Sequence, residues 1–199
     1  MRRHDLRLRR TGTSTAARDS FGSAARESLR VRSRYTNWEK LLRRTFGRVK
    51  IDIEPVRDLS IAIQKSDVCV TCTPAREFFV CKEDIAPGTF VAAVGADDAH
   101  KHEIDPALIA SARVVVDSLE QSCAIGDTHH AIARGLMRKE DVYAELGEIV
   151  AGKKPGRTSD DEIFIFDSTG VAIEDAVAAA AVYEKARAAG IGTYFQFAA

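Results

Sequence analysis

The stretch Thr89-Phe-Val-Ala-Ala-Val-Gly-Ala-Asp97-Asp-Ala-His-Lys101-His-Glu103 joins an apolar run to a dense polar cluster. Residues 90–94 carry no polar side chain, so they predict a strand buried on both faces, as in a parallel sheet. Gly95 ends that strand, and acids, histidines and a lysine follow at once. Because ligands of open parallel sheets bind beyond the carboxyl ends of the strands, this cluster is placed to meet a small polar ligand.

Similar apolar runs elsewhere in the chain predict further strands, separated by segments with helical signals. The predicted strands are 29–33, 49–53, 67–73, 90–94, 113–117 and 162–167, and the predicted helices are 36–46, 58–65, 105–111, 118–135, 140–152 and 171–189. This alternation predicts an α/β fold, a doubly wound parallel sheet flanked by helices in a single domain. Polar residues follow four strand ends, at Thr73, Asp97 with Lys101, Asp117, and Ser168 with Thr169. Their convergence indicates a nucleotide-dependent enzyme that acts on a small molecule.

The charge of the chain is unevenly distributed. Residues 1–50 hold 15 Lys and Arg against 4 Asp and Glu, whereas residues 51–199 hold 14 against 25. Residues 1–28 show no clean periodicity. The basic start is read as a poorly ordered or diverged segment, with a transit-type presequence and a nucleic-acid arm as alternatives. No apolar run approaches the ~20 residues of a membrane helix, and no signal peptide is visible, so we expect a cytoplasmic protein with no membrane and no nucleic-acid partner.

The cysteines and histidines do not predict a metal site. Cys69-Val-Thr-Cys72 spells C-x-x-C, but it lies in a predicted strand, where this spacing sends the two side chains to opposite faces. His129 and His130 are adjacent, and they point in different directions on a helix without spaced co-ligands. We therefore interpret the cysteines as core residues and predict no metal.

Two motifs resemble those of the ornithine cyclodeaminase/mu-crystallin family. Val94-Gly-Ala-Asp97, with Lys101 and Glu103 after it, is similar to the family's V-G-[AG]-D-x-P-G-K-x-E-L, with Ala99-His100 in place of Pro-Gly. Phe166-Asp-Ser-Thr-Gly-Val-Ala-Ile-Glu-Asp175 is similar to its F-D-S-x-G-x-A-x-x-D. The resemblance implies a Rossmann-like domain over residues 29–192, preceded by the basic segment 1–28 and followed by a tail, 193–199.

The resemblance also implies roles for individual residues. Asp97 would be the catalytic proton donor or acceptor, and Asp98 and Thr169 would contact the substrate. The residues implied to bind the cofactor are Thr73, Val91, Ala92, Ala93, Val94, Lys101 and Ser168. Each has a plainer alternative: core packing for the strand residues, helix capping for Ser168 and Thr169, a turn cap for Asp97 and a surface charge for Lys101.

The choice between NAD and NADP depends on the residue that follows the second Rossmann strand. An acid there favours NAD and an arginine accommodates NADP, so Arg34 is a further candidate cofactor contact, with a surface arginine as the alternative. The family's pyrophosphate loop, roughly G-x-G-x-Q-[AG]-R, is matched near residues 11–18 only by Ala17-Arg18. We treat that loop as absent.

By the resemblance, the chain would use NAD or NADP to act on an amino or imino acid. The reaction would be cyclisation of ornithine to proline with ammonia release, imine reduction or alanine dehydrogenation. Because family members carry a substrate domain before the Rossmann unit, for which this chain has no room, the alternative is a truncated, inactive relative. Such a protein would at most bind cofactor or a partner. The resemblance allows a homodimer.

Overall fold

The computed structural model describes residues 4–11, 26–33 and 52–195, and it contains one eight-stranded sheet in the order β3-β2-β1-β4-β5-β8-β6-β7. The predicted helix 36–46, most of the segment 11–18 and Arg34 lie outside these residues. The strands are β1 His4–Thr11, β2 Arg26–Ser33, β3 Asp52–Pro55, β4 Val68–Thr71, β5 Phe90–Ala93, β6 Arg113–Val116, β7 Ala144–Glu145 and β8 Phe164–Asp167. Strands β4, β5, β8, β6 and β7 are consecutive and parallel, which confirms the predicted parallel sheet.

Strand β1 differs from the other described strands because it runs antiparallel to both of its neighbours. Leu8 pairs with Val68, so β1 ends at Thr11 on the edge where β4 begins. Ser33, the last residue of β2, pairs with His4 on the opposite edge, where β4 ends. The carboxyl ends of β2 and β4 therefore lie at one edge, and the carboxyl end of β1 lies at the other.

The apolar runs of the sequence form the core of the sheet. Strand β5 lies between β4 and β8, and Val91 and Ala93 are fully buried, while Phe90 and Ala92 are partly buried. Val91 belongs to the main cluster of buried side chains, together with Ile63 and Ile109 from the flanking helices. The strand forms in a parallel sheet, as predicted, but only the face of Val91 and Ala93 is fully buried, whereas the sequence predicted burial on both faces.

Two of the described helices begin at aspartates that cap them. They are α1 Leu59–Gln64, α2 Pro106–Ser111, α3 Leu119–Ile125, α4 Asp127–Ala133, α5 Leu146–Val150 and α6 Ala172–Ala188. Asp58 caps α1 by accepting from the Ile61 amide at 3.0 Å, and Asp105 caps α2 by accepting from the Ala107 amide at 2.9 Å. Gly126 separates α3 from α4, in agreement with the predicted interruption of the helical region 118–135.

The predicted single helix 140–152 is wrong. Its first half forms a 3₁₀ turn, Lys139–Asp141, followed by the short strand β7, and only Leu146–Val150 is an α-helix. The Tyr143 amide donates to the Val114 carbonyl at 2.9 Å, and Ala144 pairs with Val115. Pairing with the edge of β6 outweighs the local helical pattern, because it buries Ala144 and satisfies these backbone groups.

The chain divides into two compact units after Thr169. The first unit contains the sheet and the helices up to α5, and the second contains α6, a helix of 17 residues. The predicted packing of residues 171–189 against the sheet and the predicted boundaries at residues 28 and 192 stay predictions. No helix in the described part of the chain is both long and apolar enough to cross a membrane.

Candidate functional site at the carboxyl edge of the sheet

The segments that follow β4, β5 and β8 lie side by side at the carboxyl edge. The Val94 amide donates to the Thr71 carbonyl at 3.0 Å, and the Ser168 amide donates to the Ala93 carbonyl at 2.9 Å. These bonds extend the pairing of the sheet one residue beyond the strand ends. As a result, the segments that contain Thr73, Asp97 and Ser168 start from neighbouring positions.

The carboxylate of Glu103 joins the ends of β4 and β5. It is fully buried and accepts from the Thr71 hydroxyl at 2.6 Å, the Thr73 amide at 2.6 Å and the Gly95 amide at 3.0 Å. Burial raises the pKa of Glu103, and the hydrogen bonds from the two threonines and Gly95 oppose that rise. A Cβ atom at Gly95 would lie 2.5 Å from this carboxylate, so the close approach requires glycine.

Two further buried acids continue this network toward β8. Asp127 Oδ1 accepts from the amides of Glu103 at 2.8 Å and Ile104 at 3.0 Å. Asp167 accepts from the amides of Asp127 at 3.2 Å and Thr128 at 2.8 Å, at the first turn of α4. Burial raises the pKa of both aspartates, and for Asp127 the neighbouring charge of Asp167 raises it further. We call Glu103, Asp127 and Asp167 the buried acid chain.

Asp117, at the end of β6, holds two of the candidate site residues. Its carboxylate accepts from the Ser168 hydroxyl at 3.0 Å, the Thr169 amide at 2.8 Å and the Thr169 hydroxyl at 3.3 Å. It also accepts from the Ser122 hydroxyl at 3.1 Å. The position of the Ser168 and Thr169 side chains is therefore set by an acid on the adjacent strand.

Asp97 and Lys101 form an ion pair at the surface of the same edge. The side chain of Asp97 is 59% exposed and that of Lys101 is 29% exposed. The segment between them is a turn in which the Lys101 amide donates to the Asp98 carbonyl and the His100 amide donates to the Asp98 carboxylate, both at 2.8 Å. Ala99-His100 thus forms a closed turn at the position where the family motif has Pro-Gly.

The backbone next to Lys101 is held by two stacked histidines. The rings of His102 and His130 lie 3.8 Å apart at an interplanar angle of 17°. Nε2 of His130 is 2.7 Å from the Lys101 carbonyl oxygen. Burial, and after it the charges of His130 and Arg134, lower the pKa of His102 from its usual 6.5 to about 4, so this ring is neutral at pH 7. Burial also lowers the pKa of His130.

The sequence-predicted site residues fall into three groups. Thr73, Val91 and Ala93 are buried, and Thr169 is nearly so. Asp97, Asp98 and Val94 are exposed, and Ala92, Lys101 and Ser168 lie between these extremes. Arg34 is outside the described residues, although Ser33 before it ends β2 at this same edge. Cys69 is buried and Cys72 is exposed, as expected for opposite faces of a strand. The interpretation of the cysteines as core residues is therefore wrong for Cys72.

Sequence reasoning missed the buried acid chain. Glu103 was recognised only as part of a motif, and no role was predicted for Asp127 or Asp167. The nearest signals in the sequence are two glycines: Gly95, shortly after β5, and Gly126, between α3 and α4. In the structure, Gly95 lies against Glu103 and Gly126 lies against Asp167. A glycine that must accommodate a carboxylate cannot be told from an ordinary turn glycine without the fold.

This arrangement defines a class of protein. A Rossmann-like parallel sheet with polar groups gathered beyond its carboxyl ends is the architecture of nucleotide-dependent dehydrogenases and their relatives. A sequence model of the ornithine cyclodeaminase/mu-crystallin family matches residues 23–190. The chain belongs to this family, as its two motifs predicted.

Individual relatives agree with this assignment. Alanine dehydrogenase of Archaeoglobus fulgidus is 41% identical over 149 residues, which is 75% of this chain and 45% of that protein. The structure of iminosuccinate reductase of Paracoccus denitrificans with NAD+ matches at 37% identity and a TM-score of 0.74, covering 83% of this chain and 51% of that one. The structure of Thermococcus litoralis Δ1-pyrroline-2-carboxylate reductase with NADH and L-proline matches at 34% identity and a TM-score of 0.79, covering 84% and 53%. The chain spans about half the length of these relatives.

Proposed function

We propose that this chain is the cofactor-binding part of an NAD(P)-dependent enzyme that exchanges a hydride with a small amino or imino acid. The observation that supports the proposal is the shared edge, where hydrogen bonds between neighbouring segments bring the Thr73, Asp97 and Ser168 regions together. The related structures were solved with NAD+ or NADH, and their names give imino and amino acids as reactants. The specific reaction stays open between alanine dehydrogenation, imine reduction and cyclisation of ornithine.

The residues of the edge fit one part of the cofactor better than the other. Beside the carboxyl ends of β5 and β8, Ala92 and Val94 offer partly exposed apolar surface and Ser168 offers a hydroxyl, which suits a flat amide-bearing ring. The pyrophosphate usually lies at the turn after the first strand. Here β1 ends at Thr11 on the opposite edge.

In the proposed reaction, bound nicotinamide supplies or accepts the hydride. Asp97 would give or take the proton at the substrate nitrogen or at water, because its carboxylate is exposed and can meet a ligand while Lys101 holds one of its oxygens. Lys101 holds the Asp97 carboxylate by an ion pair. Asp98 directly follows Asp97, and Thr169 directly follows Ser168, so both are candidates to contact the substrate.

The proposal is tested with the purified chain, NADH or NADPH, and Δ1-pyrroline-2-carboxylate, pyruvate with ammonia, or, in reverse, ornithine and alanine with NAD+. We expect turnover that Asp97→Asn lowers by about 10²-fold or more, which is the usual contribution of general acid–base catalysis. Asp160→Asn is the matched control, because Asp160 is an exposed acid near Gly88, before β5 begins. Equal activity of both variants would disprove the role of Asp97.

The alternative function is that of an inactive relative that binds cofactor or a partner without turnover. The direction of β1 favours this alternative, because β1 ends on the opposite edge from the carboxyl ends of β4, β5 and β8, unlike the first strand of a nucleotide-binding sheet. Cofactor binding in calorimetry without turnover on any of these substrates would support it. A chain that neither bound cofactor nor turned over any of these substrates would be neither the proposed enzyme nor an inactive cofactor-binding relative.

A further inference from the structure

The middle member of the buried acid chain, Asp127, has two very different oxygens. Oδ1 accepts from the amides of Glu103 and Ile104. Oδ2 is buried and has no hydrogen-bond partner among the described residues. The whole residue is inaccessible to solvent, so bulk water does not reach the unpartnered oxygen.

The charged groups that act on Asp127 are acids. Asp167 faces it from the end of β8, and Glu103 faces it from the segment after β5. Asp117, on β6, adds a further negative charge beside Asp167. Glu103 and Asp167 use their oxygens to accept backbone amides, whereas Asp127 leaves one oxygen unused.

The unpartnered Oδ2 and the acids on both sides of Asp127 together determine which of the three acids binds a proton at the lowest free energy. An ionised Asp127 would place a third charge between two buried acids, with one oxygen that nothing solvates. A proton on Oδ2 removes that charge, and Oδ1 still accepts both amides. The neutral hydroxyl without an acceptor costs far less than an unpaired buried charge. The shift in pKa that burial and Asp167 produce agrees with this direction.

We propose that Asp127 is a neutral carboxylic acid at pH 7, and that in this form it is a positioning residue that joins the Glu103 segment after β5 to the start of α4. Its protonated side chain lets Glu103 and Asp167 remain close while each holds a different strand end. Ionisation of Asp127 at alkaline pH adds repulsion among the three acids, and the edge of the sheet loosens. This inference deepens the proposed function, because that edge carries the Asp97 and Ser168 segments, but the proton on Asp127 exists whether or not a cofactor binds.

The proton is observed directly by infrared spectroscopy of the full chain labelled with ¹³C-carboxyl aspartate. We expect the C=O band of a protonated carboxylic acid at pH 7, lost in Asp127→Asn and retained in the exposed control Asp160→Asn. A wild-type spectrum without that band would show that Asp127 is ionised and overturn the proposal. A band that keeps its full intensity in Asp127→Asn would overturn it too, because the proton would then belong to another aspartate such as Asp167, whose pKa is raised by burial to about 6.

Stability against pH supplies a second readout that does not require the variants to be equally stable. In the wild type, the unfolding midpoint should fall as the pH rises above about 3.9, where aspartate ionises in the unfolded chain, and this fall should level off at the apparent pKa at which the infrared band is lost. Asp127→Asn keeps an acceptor for both amides and cannot ionise, so the fall of its midpoint over this pH range should be smaller, whereas Asp127→Ala should have a lower midpoint throughout. A fall of unchanged size in Asp127→Asn would contradict the proposal. If the variant does not fold, a wild-type band that is lost at a pH other than the one at which the midpoint levels off contradicts it equally.

Binding of NADH, followed by its fluorescence, separates this inference from the proposed function. Wild-type protein that binds no NADH would reject the proposed function, while the infrared band would still decide the state of Asp127. Where NADH binds, its affinity for the wild type should fall as Asp127 ionises, at the pH at which the infrared band is lost. The affinity of Asp127→Asn for NADH should stay constant over the same pH range. An alkaline loss of affinity that is identical in both proteins would show that Asp127 does not position the edge.

Discussion

Replacement of Gly95 by alanine should disrupt the contact between β4 and β5 at the candidate site. The new Cβ would lie 2.5 Å from the carboxylate of Glu103, which is closer than real Cβ contacts come. Glu103 cannot simply move, because the Thr71 hydroxyl and the Thr73 and Gly95 amides bind its two oxygens in a fully buried site. Each buried group left unsatisfied costs about 1–3 kcal/mol, and such losses are not additive, so we expect Gly95→Ala to lower the free energy of unfolding by about 3 kcal/mol.

Thermal unfolding followed by circular dichroism measures this effect. At about 2–4 °C per kcal/mol for a chain of this size, the midpoint should fall by about 6–12 °C. Gly147→Ala is the matched control, because no atom lies within 4 Å of a Cβ at Gly147, and its midpoint should stay constant or rise. In a Glu103→Ala background the obstacle is gone, so adding Gly95→Ala should cost less than about 1 kcal/mol. An equal cost of Gly95→Ala in both backgrounds would refute the argument that this glycine exists to admit the carboxylate.

Three further changes test other parts of the edge. Asp117→Ala removes the acceptor of the Ser168 hydroxyl, so we expect cofactor affinity to fall about tenfold, the equivalent of about 1.4 kcal/mol, in NADH fluorescence titrations; unchanged affinity would show that Ser168 does not contact cofactor. The pKa of His102 is lowered from 6.5 to about 4, so between these pH values the unfolded chain binds a proton on His102 that the folded chain does not. Stability should therefore decline as the pH falls from about 6.5 to 4. His102→Phe should flatten that part of the curve of unfolding midpoint against pH. A Cβ at Gly126 would lie 2.6 Å from Asp167 Oδ2, so Gly126→Ala should lower the unfolding midpoint, and no change would mean that the helix start can shift freely.

The elements that the sequence predicted well are those whose signals are local. An uninterrupted apolar run marked β5, and Asp58 and Asp105 marked the starts of α1 and α2 through hydrogen bonds that span two or three residues. The polar residues after the strands also predicted that the segments of Thr73, Asp97 and Ser168 share one edge, because parallel strands present their carboxyl ends together.

The features that could not be predicted depend on contacts between distant parts of the chain. Pairing with β6 turned part of the predicted helix 140–152 into β7. The direction of β1 is set by its pairing with β2 and β4, since an alternating pattern is the same in either direction. The buried acid chain joins positions up to 40 residues apart, and nothing in the local pattern distinguishes Asp127 from a surface acid.

The reversed β1 leads to a prediction about which part of the cofactor contributes to affinity. In a sheet whose first strand is parallel to the rest, the turn after that strand brings backbone amides to the pyrophosphate, and the dinucleotide gains affinity over its nicotinamide half. Here Thr11 ends β1 at the other edge, while the segments after β4, β5 and β8 remain joined at the carboxyl edge.

Reduced nicotinamide mononucleotide should therefore bind almost as tightly as NADH, within about tenfold, or about 1.4 kcal/mol, in calorimetric titrations of the same protein sample. Adenosine diphosphate is the matching control for the other half and should bind weakly. If NADH bound several hundredfold more tightly than reduced nicotinamide mononucleotide, this chain would supply a pyrophosphate site at the carboxyl edge. That result would also remove the main structural argument for the inactive alternative. If the two affinities differed by less than about tenfold and the chain turned over substrate, the edge made by β4, β5 and β8 would be sufficient to present the nicotinamide to Asp97.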